Sequence, residues 1–357
     1  MLLIEKLSNS KIRKSLLALA VSILAYTSSG LSKLEAAILN VPSQYSTIQF
    51  AINNADDGDE IVVNQGRYLE NINFNGKNII LRSTNPQNQD IVKSTIIDGN
   101  QAGSVVTFAG SEGTSCTLEG FTITNGKHWT GGGIKGSATG ASDTVGCKAT
   151  IQNNYIRNNI AYGLWEWPPG SGKWNKMGFG GGIANCDGII QNNIIANNYA
   201  NGTGALIRCD GIIQNNTICN NNTDSGYGGL VMCRGIIYNC ILWNNTSPQI
   251  NDTPSSFSSS IPSYSNIQDG NTSGTGNISL DPQFVDPANG DFHLKPTSPC
   301  IDAGMRIVNL LFDIEGNARG VKGTTEQRGD GSNYDIGAYE YNPGKSAVNN
   351  RTWEMYE

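Results

Sequence analysis

From about residue 61 to 279 the chain alternates short apolar runs, rich in Ile and Val, with Gly, Asn and Asp turns. The runs predict short strands at 79–82, 95–97, 105–108, 117–124, 150–152, 189–191, 212–214 and 236–238. Four stretches overlay with cysteine in one place, at Cys147, Cys186, Cys209 and Cys233. Five residues after each comes Gln152, Gln191, Gln214 or Tyr238, and two further on Asn154, Asn193, Asn216 or Cys240. The last two cysteine intervals are 23 and 24 residues. A repeat of that length, built of strand-sized apolar pairs and tight turns, is one coil of a solenoid. Strands joined only by short turns cannot be wound through helices as βαβ units. The expected fold is therefore all-β, a right-handed parallel β-helix of ~8–10 coils.

Stacking at a constant rise makes equal letters vertical neighbours. Ile190, Ile213 and Ile237 should form one apolar column, and Ile195, Ile218 and Leu242 another. Asn154, Asn193 and Asn216 should form an amide ladder, since Asn tolerates left-handed backbone at a bend and bonds the amide a coil away. The four cysteines should stack as buried thiols or close one or two vertical disulfides.

Ahead of the coils, residues 45–54 have helical spacing, with Ile48, Ala51 and Ile52 on one face. Such a helix would cap the open end of the solenoid. Two intervals exceed one coil. Glu119 to Gln152 is 33 residues and Gln152 to Gln191 is 39. The surplus falls in "KHWTGGGIKGSATGASDT" and "AYGLWEWPPGSGKWNKMGF". Residues 251–279 read as a loose last coil. After Leu280 the coil period gives way to a Pro-rich texture, expected to form an irregular C-terminal cap. The organisation is thus 1–36 leader, 37–60 cap, 61–279 β-helix, 280–342 end segment and 343–357 tail.

Lys6, Lys11, Arg13 and Lys14 precede the apolar run "SLLALAVSILAY", and Ala36 and Ala37 follow. This is the pattern of an export signal, either cleaved or kept as an anchor. The run is shorter than the ~20 residues of a spanning helix, and no later run could cross a bilayer. The net charge is −6, and removing the leader leaves about −9. An acidic chain with no basic run is a poor partner for nucleic acid. Its glycine strings lack the following helix of a nucleotide site.

The coils resemble the right-handed parallel β-helix proteins of the pectate-lyase-like superfamily. "YSTIQFAINNADDGDEIVVNQGRYLENI" is similar to their N-terminal cap and first strands, and Gly66 to Glu70 is similar to the GxYxE element of pectin methylesterases. No QDTL-, DFIFG- or LGRPW-like segment accompanies that element, and no DPHE-like element of alginate epimerases is present. The likeness therefore does not extend to those activities. "LDPQFVDPANGDFHLKPTSPCIDAG" with "YDIGAYEY" resembles the choice-of-anchor Q end segment of secreted bacterial β-helix proteins. These resemblances imply an exported bacterial protein, extracellular or periplasmic, whose partner is a polysaccharide or cell-envelope glycan.

Candidate chemistry lies in two places. One residue after each repeated cysteine come Lys148, Asp187, Asp210 and Arg234. In register they make one column, with the two carboxylates ~5 Å apart at the backbone. Such a pair can share a proton, take Ca²⁺, or act as acid and nucleophile, with Lys148 and Arg234 stabilising developing charge. It is equally a charge ladder. The second place is the aromatic insertion, where Trp165, Trp167 and Trp174 surround Glu166. Indole faces stack on sugar rings, or fold back as a lid. His128 and Trp129 open the other insertion, His128 as a loop residue or a base. His293 reads as structural. Asp313, Glu315 and Asn317 carry alternating oxygens without the bidentate Glu of a calcium loop. Two functions follow: a lyase-like or hydrolase-like protein that binds or processes a polysaccharide along one lateral face, or a non-catalytic envelope or matrix protein.

Overall fold

The computed structural model describes residues 35–137, 146–166, 170–251, 259–270 and 273–344. The leader, except its last two residues, lies outside the described residues, as do Trp167 and nearly all of the tail.

The chain is a parallel β-helix. Two sheets have eight strands each and a third has six, every neighbouring pair parallel and one coil apart in sequence. The first face runs from Ile38–Val41 and Glu60–Val63 to Ile212–Gln214 and Ile236–Tyr238. The second carries Gly66–Leu69 through Asn266–Ile267, and the third Ile72–Asn73 through Leu230–Val231. The predicted registers hold. Gln152, Gln191, Gln214 and Tyr238 are paired neighbours, with Glu119 ahead of them.

Inside, like packs on like. Leu118, Ile151, Ile190, Ile213 and Ile237 stack along the first face, and Ile123, Ile156, Ile195, Ile218 and Leu242 along the second. Val106, Ile134, Ile183, Leu206 and Leu230 line the third. All are essentially fully buried, and each contributes about 1.5–3 kcal/mol by leaving water.

The doubled asparagines make the corners. Between the first and second faces, Asn153, Asn192, Asn215 and Asn239 have φ of 56°, 51°, 49° and 49°. This is the left-handed turn that Asn accepts better than most residues. Gly120 fills the same corner one coil earlier, with φ of 80°. The second asparagine of each pair turns inward. Asn154 donates its backbone N–H and its Nδ2 to Asn193 Oδ1 at 3.0 and 3.1 Å, and Asn193 does the same to Asn216 Oδ1 at 3.0 Å each. Nδ2 of Asn193 also reaches the Ile151 carbonyl at 2.8 Å. In the next coil Cys240 takes the place of asparagine and receives support from Ser265 Oγ at 3.0 Å. A second ladder, Asn159, Asn198, Asn221 and Asn245, repeats the device at the following corner.

The N-terminal helix α1 (Ile48–Asn54) buries Ile48, Ala51 and Ile52 as expected, and Thr47 Oγ1 accepts the Phe50 N–H at its start. The segment read as a cap also contains the first strand, Ile38–Val41, which pairs in register with Glu60–Val63.

The C-terminal segment departs from the expected end cap: it lies along the flank of the solenoid. Its contacts run from Gln89, which donates to the Ile314 carbonyl, past Asn192 and Asn239, to Asn266, which donates to the Leu280 carbonyl. Phe284, Phe292, Ile301, Ile314 and Ile336 pack against the outward side chains of the second face, including Tyr155, Ile194 and Ile241. The reason lies in those strands. Ile194–Ala196 and Thr217–Cys219 are buried on both sides, whereas the first-face strand Ile189–Gln191 buries only its inward residue. A sheet apolar on both faces needs a second layer. The buried Arg319–Glu340 pair, 3.3 Å apart, locks that layer, and Arg319 also donates to Asn192 Oδ1 at 2.8 Å. All eight cysteines are buried free thiols, which resolves the column as stacked thiols. Burial pushes the Cys186 and Cys209 thiols well up, away from the reactive thiolate.

Replacing Asn193 by Ala leaves buried donors and acceptors on both adjacent coils unmet, each costing about 1–3 kcal/mol. Asn193→Ala should lower unfolding stability by about 3 kcal/mol or more in urea titrations. A loss no larger than that of an exposed Asn54→Ala control would contradict a structural role for the ladder.

Candidate functional site

The structure aligns the predicted charge column and shows what its carboxylates do. Asp187 N–H donates to the Cys147 carbonyl at 2.7 Å. Asp187 Oδ1 accepts the Asp210 backbone N–H at 3.0 Å, and its Oδ2 accepts the Gly146 N–H at 2.9 Å. Asp210 Oδ1 accepts the Arg234 N–H at 2.7 Å, and Arg234 Nη1 lies 3.9 Å from Asp210 Oδ2. Lys148 is exposed on the same column, and its N–H donates to the Glu112 carbonyl at 2.9 Å. Each aspartate thus satisfies the backbone of a neighbouring coil at the corner between the third and first faces. Among the described residues, no group of three or more His, Cys, Asp and Glu side chains is placed to hold a metal ion.

The aromatic candidates gather at a different corner. A narrow four-stranded strip follows the second face: Lys127–His128, Ile160–Ala161, Tyr199–Ala200 and Asn222–Thr223. His128 pairs with Ala161, and the chain then enters an antiparallel hairpin, Leu164–Glu166 with Trp174–Lys176. Trp165 and Trp174 therefore sit on its two strands, and Trp165 is paired with Asn175. Glu166 accepts the Gly172 N–H inside the hairpin. Tyr162 N–H donates to the His128 carbonyl, and Phe179 N–H to the Trp129 carbonyl, both at 3.0 Å. A side chain at Gly163 would come within 3.2 Å of Trp129 Cβ, so Trp129 rests on the base of the hairpin. The two insertions share one side, as their sequence positions suggest. Trp129, Tyr162 and Leu164 are 53%, 46% and 50% exposed there, a large apolar display for one corner.

His128 Nδ1 lies 2.8 Å from the Thr130 carbonyl and 3.3 Å from the Thr130 nitrogen, so Thr130 anchors that side of the ring in either tautomer. Burial holds its pKa below the usual histidine value, only partly opposed by Thr130. The ring is then neutral near pH 7. Burial first, then the Asp224 carboxylate, raises the Tyr199 phenol on the same strip.

The aromatic corner and the aspartate column are not neighbours in the coil. The third face, represented by Ile183–Ala184 and Leu206–Ile207, lies between them. A single lateral face holding both grip and chemistry is therefore not what the fold builds.

Sequence reading missed a titratable cluster on the flank. His293 lies between Asp291 (2.5 Å) and Glu315 (3.0 Å), and its ring stacks on Tyr339 at 4.0 Å. Tyr339 meets Tyr155 hydroxyl to hydroxyl at 2.5 Å, and Lys93 lies 5.8 Å from the Tyr155 ring centroid. Burial pulls the His293 imidazolium down, but Asp291 and Glu315 outweigh it and hold the pKa at about 9. Burial lowers Lys93 against the same two carboxylates. Only the Asp-x-His spacing of Asp291 and His293 was local in sequence; Glu315, Lys93 and Tyr155 arrive from distant segments. The neighbouring Asp313 accepts the Glu315 and Asn317 N–H groups at 2.9 and 2.7 Å and the Glu340 N–H at 2.9 Å. The alternating oxygens of that turn thus organise backbone.

Two outcomes follow. Asp187→Ala should destabilise the fold by about 1–3 kcal/mol, because two backbone donors lose their acceptor, while Asp187→Asn keeps Oδ1 and costs less. Equal melting of both variants and wild type would remove the corner role. His293 has its folded pKa raised from 6.5 to about 9. Its stabilisation is therefore complete below pH 6.5 and is lost as pH rises through about 9. Thermal melts of wild type should fall across that window, and His293→Gln should flatten the dependence; parallel curves would refute it.

No family model matches the chain, and no curated protein matches it. Among solved structures, one titled "Crystal structure of pectate lyase Pel9A" aligns over 88% of this chain and 98% of that one, at 15% identity and a TM-score of 0.30. A superposition that loose carries no argument about activity.

Proposed function

We propose that the protein is an exported glycan-binding β-helix that holds a polysaccharide across the aromatic corner, with Trp129 and Tyr162 as stacking surfaces beside the Trp165–Trp174 hairpin. The observation that supports it is the exposure of Trp129, Tyr162 and Leu164 together on adjacent coils. Rigid aromatic faces on a stacked scaffold suit sugar rings, which offer apolar C–H faces and equatorial hydroxyls. His128 and Glu166 flank that surface and supply polar contacts. The export reading rests on the leader's basic residues and apolar run. No helix among the described residues is long and apolar enough to cross a membrane.

Binding without turnover is favoured over lyase or hydrolase chemistry at Lys148, Asp187, Asp210 and Arg234. The aspartate oxygens there are engaged by backbone N–H groups of adjacent coils. A Ca²⁺ bridge between Asp187 and Asp210 would have to compete with those bonds. The choice-of-anchor Q likeness of residues 280–342 fits a surface protein whose flank segment is part of the fold.

Incubation with uronic-acid polymers, with and without Ca²⁺, should give no ultraviolet-absorbing unsaturated ends, while the polymers retard the protein in affinity electrophoresis. Trp129→Ala should weaken retention about tenfold. Unsaturated product would overturn the non-catalytic reading, and retention unchanged by Trp129→Ala would remove the aromatic platform.

A further inference from the structure

We propose a second carbohydrate site at the opposite corner of the coil, in the cleft between the first face and the flank segment, built for the hydroxyls of a neutral hexose oligosaccharide. The left-handed asparagines between the first and second faces point outward, and the chain covers them one by one. Gly120 is covered by Pro86, whose Cα would stand 2.6 Å from a side chain there. Asn192 donates to the Phe312 carbonyl at 2.9 Å and accepts from Arg319 at 2.8 Å. Asn215 reaches the Asp335 and Gly337 carbonyls, and Asn239 both donates to and accepts from Met305. Among the described residues, Asn153 in this row has no such partner: the residue is only 6% exposed, and its Oδ1 makes no hydrogen bond.

Asn153 lines a cleft of about 400 Å³ between the 85–87 loop and residues 309–312 of the flank segment, with its unpaired Oδ1 just beneath the surface. The volume is in the range of small-ligand sites. The floor is the glutamine column. Gln152 donates to Glu119 at 2.6 Å, and Gln191 to Gln152 at 2.7 Å. It presents amides at the coil spacing of ~4.8 Å. Arg82, paired with Glu60, stands beside Glu119 in register. Leu311 and Phe312, 53% and 46% exposed, give the opposite rim an apolar wall for a ring face. Gln89, whose buried Oε1 is also unpaired, lines the adjoining cavity, which shares Asn85 and Gln87 with the first. Two unpaired buried acceptors, a run of amides and an apolar rim call for a ligand that donates many hydroxyl protons and carries little charge.

The test is isothermal titration of the whole chain with cellohexaose, mannohexaose and maltohexaose, with glycerol as the additive control. At least one hexasaccharide should bind. Asn153→Gly keeps the left-handed backbone, removes the acceptor, and should weaken that binding about fivefold. Phe312→Ala should weaken it about threefold through the lost ring face. The titrations are repeated in the Trp129→Ala background, where the aromatic corner no longer contributes and the cleft alone is read. Melting curves confirm that each variant is folded; if Phe312→Ala disturbs the flank, Asn153→Gly decides alone. No binding by any of the three sugars in that background, affinity there untouched by Asn153→Gly, or competition by glycerol at similar concentration would each overturn the proposal.

Discussion

Every coil of this protein closes on a buried polar obligation that its neighbour must meet. A corner that turns inward carries backbone N–H and carbonyl groups out of water, and an unmet group there costs as much as a lost hydrogen bond or more. The inward asparagines discharge that obligation vertically, each amide oxygen taking two donors from the adjacent coil. The apolar columns supply the driving force and resist a slip of one position, which would turn their residues to the other face, but they are indifferent to which Ile stacks on which. The amides are not, since a slip breaks several bonds at once. Register is therefore held by the polar corners, and everything that depends on register follows from them.

One dependent feature is the aspartate column, which lines up because the coils do and then serves the backbone that aligned it. Another is the flank. The second face offers an apolar outer surface of fixed pitch, and the C-terminal segment lies across it as a second layer. That layer covers most outward corner asparagines through its own backbone carbonyls, and it leaves a cleft between the 85–87 loop and residues 309–312. The cleft at Asn153 is a consequence of where a non-repeating segment meets a repeating one.

The coil registers were legible because the repeat is a local regularity: Cys, Gln and Asn at fixed offsets predicted the pairing of Gln152, Gln191 and Gln214 and the ladder of Asn154, Asn193 and Asn216. The cap helix was legible through Ile48, Ala51 and Ile52. The strand Ile38–Val41 was not, because four residues of weak pattern gain meaning only from a partner beyond the helix. The path of residues 280–342 was hidden for a related reason. Apolar letters on both sides of strands such as Ile194–Ala196 signalled a covering layer, yet nothing local names what covers it. Placing Trp129 and the hairpin with Asp187 and Asp210 failed because coil order puts the third face between them. His293 was invisible as a cluster since its partners are separated widely in the chain.

The glutamine column also has a direction. Each Nε2 points toward the preceding coil, and the chain of donors ends on the Glu119 carboxylate, next to Arg82. Aligned side-chain amides add their dipoles head to tail along the rod. The solenoid surface therefore has electrical polarity even where it carries no formal charge, and its two ends along that stripe are inequivalent to anything lying on it. A linear polymer with a reducing and a non-reducing end would feel that asymmetry, and would settle on the stripe in one orientation.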